Sequence, residues 1–164
     1  MRKTKKRTER VWATKDRGAG LKTAKEEEIW TCEIYCSIYN TNITLLVGTL
    51  EAMRGWLQAH HDESAERLRL ASAKTIEITD DASGSKEWVM WFPTWTDDRT
   101  DLLKLVHESG HVVHQLFRQI GFKIHKRSNE EPFTYFQTDL VRECWDALSD
   151  YAAKPKRKKA RARR

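Results

Sequence analysis

Between residues 30 and 92 the apolar positions recur mostly every second residue, and beyond residue 100 they recur every third or fourth. The first period belongs to half-buried strands, the second to amphipathic helices. Residues 30–39 alternate, with Trp30, Cys32, Ile34, Cys36 and Ile38 on one face, and an apolar run at 43–47 follows Asn40-Thr41-Asn42, which predicts a hairpin or two successive strands. Gly48-Thr49 introduces a helix over 50–60, striped by Leu50, Met53 and Leu57. Residues 62–70 fit a second short helix, although Arg67-Leu68-Arg69-Leu70 also permits a strand. Residues 74–79 and 86–92 read as strands joined by a loop at 80–85, and Pro93 ends the second.

The helical period is clearest where Leu102, Leu105, Val106, Ser109, Val112, Val113, Leu116, Phe117 and Ile120 form one wall. Thr100 or Asp101 is the expected N-cap of this helix and Gly121 its stop. A last helix over 133–151, carrying Phe136, Leu140, Cys144, Ala147, Leu148 and Tyr151 at helical spacing, should pack on it. Strands followed by helices, in 164 residues of which 39% are hydrophobic, predict one small α+β domain with a modest core.

The first of these two helices also carries chemistry, in the run His107-Glu108-Ser109-Gly110-His111. Residues four apart share a helix face, so both imidazoles of a His-Glu-x-x-His run can reach one ion, and Glu108 sits one step round, where it can meet a water without ligating the metal. Two partly buried, hydrogen-bonded histidines are the plainer reading, but they leave Glu108 unexplained, since an unpaired carboxylate is costly to bury. A catalytic zinc needs a third protein ligand and one position left free. Asn129-Glu130-Glu131-Pro132-Phe133-Thr134-Tyr135 offers two carboxylates, 19 and 20 residues beyond His111.

Together these segments resemble the gluzincins, zinc peptidases whose HExxH is followed some 20 residues later by a helical Glu ligand. The acidic and aromatic segment 130–135 is also similar to the one that follows HExxH in small phage and prophage proteins of metallopeptidase type. The resemblance covers residues 102–151 and leaves the first 100 unmatched. It implies a zincin-like fold, in which an antiparallel-containing sheet packs on the HExxH helix and on the helix that follows. It further implies a Zn2+ ion held by His107, His111 and Glu131, with Glu130 in reserve, and hydrolysis of a peptide bond in a specific protein partner. Glu108 would be the general base, taking a proton from water and passing it to the leaving amine.

Pro132 favours a first helical turn and places Glu131 near the N-cap, where both acids would also simply complement the helix dipole. Larger gluzincins often carry an Asp four residues after the Glu ligand. Here that position is Tyr135, so either Asp139 substitutes for it or Tyr135 donates to a developing oxyanion. In peptidases of this type a strand beside the HExxH helix lines the cleft and pairs with extended substrate; residues 88–92 are the expected strand, with Trp91 and Trp95 as subsite walls or as core. His114 is either a surface residue or a second group near the metal, His125 has no assigned role, and His60 and His61 read as solvated helix-end residues.

Charge adds a second functional reading. Residues 1–25 carry +8 and residues 154–164 another +8, so the total of +6 leaves −10 on residues 26–153. The two ends read as disordered basic tails around the catalytic domain, suited to non-specific contact with nucleic acid or another polyanion, or to solubilising an acidic body. The alternative to a peptidase is therefore a nucleic-acid-binding or assembly accessory protein with a structural or inactive metal site. No recognition-helix pattern supports a repressor-cleaving peptidase fused to a helix-turn-helix. Cys32, Cys36 and Cys144 make no paired framework, and the first two read as small apolar residues on a strand face. No apolar run reaches the roughly 18 residues of a membrane span, and the basic N-terminus lacks a following apolar stretch, so a cytoplasmic protein without membrane contact is expected, in the host cytoplasm if phage-encoded.

Overall fold

The computed structural model describes residues 12–15, 29–36, 39–61, 71–79, 84–122 and 130–154. Five strands and three helices follow in the order β1 (Trp12–Lys15), β2 (Trp30–Cys36), β3 (Thr41–Val47), α1 (Leu50–His61), β4 (Lys74–Thr79), β5 (Lys86–Phe92), α2 (Arg99–Gln119) and α3 (Glu130–Ala153). The sheet order is β1-β2-β3-β5-β4; β3 and β5 run parallel and every other pair is antiparallel. The class is therefore α+β with a mixed sheet.

β2 and β3 form the hairpin that the alternation suggested, from Trp30↔Val47 to Cys36↔Thr41. Asn40 takes φ 47 in its turn and accepts the Tyr35 hydroxyl proton at 2.8 Å. Cys32 and Cys36 are buried with Ile34 on one face of β2, as apolar side chains, and Cys144 is buried as well. The β1 backbone pairs with the outer side of β2, inside the N-terminal stretch that charge alone marks as tail. Trp12-Ala13 interrupts the basic run there. Residues 62–70, left between helix and strand by sequence, lie outside the described residues.

The two faces of the sheet are covered differently. Leu46, Val89, Trp91 and Ile78 pack on Met53 and Leu57 of α1, whose first turn is capped by Thr49 Oγ1 accepting from the Ala52 N–H. Ile34, Ile43, Leu45, Trp88, Met90 and Phe92 face the other way, onto Leu105, Val112, Val113 and Leu116 of α2 and Phe136, Leu140, Cys144 and Leu148 of α3.

α2 begins earlier than expected. Asp98, not Thr100 or Asp101, is its N-cap, and Asp98 Oδ1 accepts the Asp101 N–H at 2.9 Å. Asp101 is turned inward, where its carboxylate accepts from the backbone and hydroxyl of Thr96 and from Lys104. Burial alone would push its pKa up, but those hydrogen bonds outweigh it and hold the carboxyl below the usual aspartate value. At the other end Gly121, at φ 72, stops the helix as expected. The Phe122 N–H reaches Phe117 O at 2.8 Å and the Gly121 N–H reaches Arg118 O at 3.1 Å. This is a Schellman closure, sealed by an edge-to-face Phe117–Phe122 contact at 4.8 Å.

α3 starts at Glu130, so Pro132 occupies the first turn, where its missing N–H costs nothing, and Glu131 lies just inside the helix. Phe133 and Phe136 meet Phe117 near the end of α2, while Trp145 meets Trp95 just before its start. The two helices therefore run antiparallel.

Candidate metal centre

α2 buries Leu105, Ser109, Val112, Val113, Leu116 and Phe117, which sets the direction of every other side chain on it. His107 and His111 fall on the solvent side, one turn apart, with rings perpendicular and Nε2 atoms 3.1 Å from each other. Two lone pairs do not face each other at that distance without a proton or a cation between them. Two imidazole nitrogens bound to one tetrahedral zinc at about 2.0–2.1 Å stand about 3.3–3.4 Å apart, so this pair fits a shared zinc after a small opening.

Glu108 lies on the flank between that pair and the sheet, and it is only 6% exposed. Its Oε2 accepts the hydroxyl proton of Thr75 at 2.6 Å, and the same hydroxyl stands 3.1 Å from the Glu108 backbone oxygen. Thr75 belongs to β4, an edge strand of the sheet among the described residues. A cavity of about 460 Å³ opens between this edge and α2, lined by Ala71, Ala73, Lys74 and Thr75 on one side and by Glu108, His111 and Gln115 on the other. Gln115 Oε1 accepts the indole N–H of the buried Trp88 at 3.0 Å.

The strand beside the motif is thus β4, not residues 88–92. β5 lies inside the sheet between β3 and β4, and its Trp91 is buried on the α1 face. Trp95 is buried too, in edge-to-face contact with Phe92 and Trp145. Neither tryptophan walls the cavity. Thr75 and Gln115, which do line it, were not singled out from sequence.

α3 approaches α2 on the flank opposite Glu108. Gln137 Nε2 donates to Val106 O at 3.0 Å, and a Cβ added at Gly110 would stand 3.3 Å from that same nitrogen, so a small residue in the fourth position of the motif lets the helices close. Glu131 is exposed in the first turn of α3, six residues before Gln137, about 9 Å of helix rise away. Glu130 is exposed as well, and Thr134 donates to its backbone oxygen. Among the described residues no three His, Cys, Asp or Glu side chains come together as a metal-holding group. The structure brings His107, His111 and Glu108 together, and neither Glu130 nor Glu131 joins them.

Tyr135 is 68% exposed, and Asp139 pairs with Arg142 at 3.0 Å on the surface. His114 is exposed and His125 lies outside the described residues. His60 and His61 end α1; His60 is exposed and stacks on Trp56, whereas His61 is half-buried and tilted against the same ring, so only the first is the solvated helix-end residue expected. Among the described residues no helix is long and apolar enough to cross a membrane. Comparison of the chain with family models, with curated proteins and with solved structures gives no match.

Proposed function

We propose that this protein is a zinc-dependent peptidase whose working groups are His107, His111 and Glu108 on α2. The observation that carries this reading is a buried carboxylate fixed by Thr75 beside two imidazole nitrogens 3.1 Å apart, at the mouth of a cavity. A lone buried acid is expensive; one hydrogen-bonded at a cavity wall next to paired histidines suits proton transfer.

His107 and His111 would hold the ion through Nε2; Glu131, the closer match to the gluzincin spacing, stands apart from them and would complete the set only by a movement of the first turn of α3 toward His111, with Glu130 as the other carboxylate within the same turn. A bound zinc supplies Lewis acidity, polarising a carbonyl and making water easier to deprotonate. Glu108 then acts as general base through the oxygen that Thr75 does not hold, and later returns the proton to the leaving amine. Thr75 keeps the carboxylate from swinging into solvent. β4 is an edge strand among the described residues, and its outer side would give an extended peptide a row of backbone partners. Tyr135 can serve as an oxyanion donor only by turning in from the solvent side of α3.

The substrate in this reading is a peptide segment of a specific protein, in a phage or prophage setting. A second reading, non-specific binding of nucleic acid, is favoured by the +8 charge on each end of a chain whose middle carries −10. Hydrolysis of peptides by the wild type and by Glu108→Gln tests the first reading directly.

A further inference from the structure

Gln115 stands one turn beyond His111 and seven residues beyond Glu108, on the same flank of α2 and on the cavity wall. An indole N–H can only donate, so the atom of the Gln115 amide that faces Trp88 must be the oxygen. Trp88 is 1% exposed and cannot easily move. The amide is thereby fixed with its oxygen inward, and its NH2 group is left to donate on the cavity side.

We propose that Gln115 is a substrate-binding residue that donates a hydrogen bond to a peptide carbonyl lying between β4 and α2. The proposal rests on the peptidase reading and deepens it. A neutral amide donor suits a neutral acceptor, and a carbonyl is what an extended peptide backbone presents at every residue. Lys74 does not change this. Thr75 faces α2, and strand alternation turns the Lys74 side chain to the other face, with Ile76 and Ile78. Ala71 and Ala73 leave the opposite wall shallow, so the backbone of an extended segment can approach.

The probe is N-acetyl-tetraalanine amide, which offers carbonyls and small side chains, titrated into the zinc-loaded full chain carrying Glu108→Gln so that nothing is cleaved. The Gln115 side-chain NH2 resonance should move on titration. Adding Gln115→Glu, which keeps an acceptor for Trp88 and removes both donors, should weaken binding about three- to tenfold, the worth of one buried hydrogen bond. A stationary NH2 resonance, no binding at all, or the same affinity with Gln115→Glu overturns the proposal. Cleavage of a random peptide mixture by the otherwise wild-type chain separates the two ideas. Cleavage with a KM unchanged by Gln115→Glu removes the role of Gln115 and leaves the peptidase. Gln115-dependent binding without cleavage keeps the role and counts against the peptidase.

Discussion

Thr75 on the edge strand and Glu108 on the motif helix, 33 residues apart in sequence, share a 2.6 Å hydrogen bond that joins the sheet to the candidate metal centre. The hydroxyl is the donor that makes the burial of Glu108 tolerable. Thr75→Val keeps the shape and removes that donor. It should destabilise the fold by about 1–3 kcal/mol, the usual cost of an orphaned buried polar group. Thr75→Ser should recover most of the loss. Denaturant unfolding together with peptide hydrolysis checks this: both should fall in Thr75→Val and return in Thr75→Ser. A Val variant equal to wild type in both would mean that Thr75 holds nothing.

Metal content addresses the ligand set. The purified wild type should carry about one zinc per chain, and His107→Ala, His111→Ala and Glu131→Ala should each lose it. Glu130→Ala should retain it. Full zinc in Glu131→Ala with loss in Glu130→Ala would move the third ligand by one residue. Full zinc in both would place that ligand elsewhere, for example in residues 123–129, which contain His125.

Asp101 gives a pH dependence with a definite sign. Its carboxyl is held below the ordinary aspartate value, so the native state favours the charged form. That contribution is complete above the unfolded-state pKa, about 3.9, and is lost as pH falls through the lower native value. Asp101→Asn should therefore destabilise the protein most at neutral pH, and the gap to wild type should narrow as pH drops below about 4. Unfolding free energies at pH 7 and at pH 3 measure the difference. A gap that widened on acidification would contradict the assignment.

What the sequence alone made legible follows from which interactions are local. The HExxH face, the Gly121 stop and the α3 stripe each depend on neighbours within a turn or two, and each stands as read. The N-cap moved to Asp98 because Asp101, an equally good capping residue by type, is pulled inward by Thr96 and Lys104. The edge strand was misread because strand order is set by pairing across the sheet. A signal for it was present: Trp88-Val89-Met90-Trp91 is apolar on both faces, as a covered central strand must be. Lys74-Thr75-Ile76-Glu77 carries the charges of an edge. The partnership of Thr75 with Glu108 had no local signature at all.

The tails distinguish binding from catalysis. Their eighteen basic residues, if they contact nucleic acid, should give an affinity for duplex DNA that falls steeply with salt, with a log–log slope near −0.9 per phosphate neutralised. Because β1 lies within the N-terminal stretch, Lys and Arg at 2–7 and 154–164 are better replaced by Gln than removed. That variant should bind weakly and with a smaller slope, and neither protein should prefer a sequence. Sequence-selective binding that survived the replacement would put nucleic-acid recognition in the folded domain.

The central measurement is peptide hydrolysis and zinc content in Glu108→Gln. The substitution keeps an acceptor for Thr75 and removes the base, so zinc should remain at about one per chain while hydrolysis falls by at least about 100-fold. Undiminished hydrolysis with zinc bound would contradict a role for Glu108 as the base and, with it, the peptidase mechanism proposed for this site.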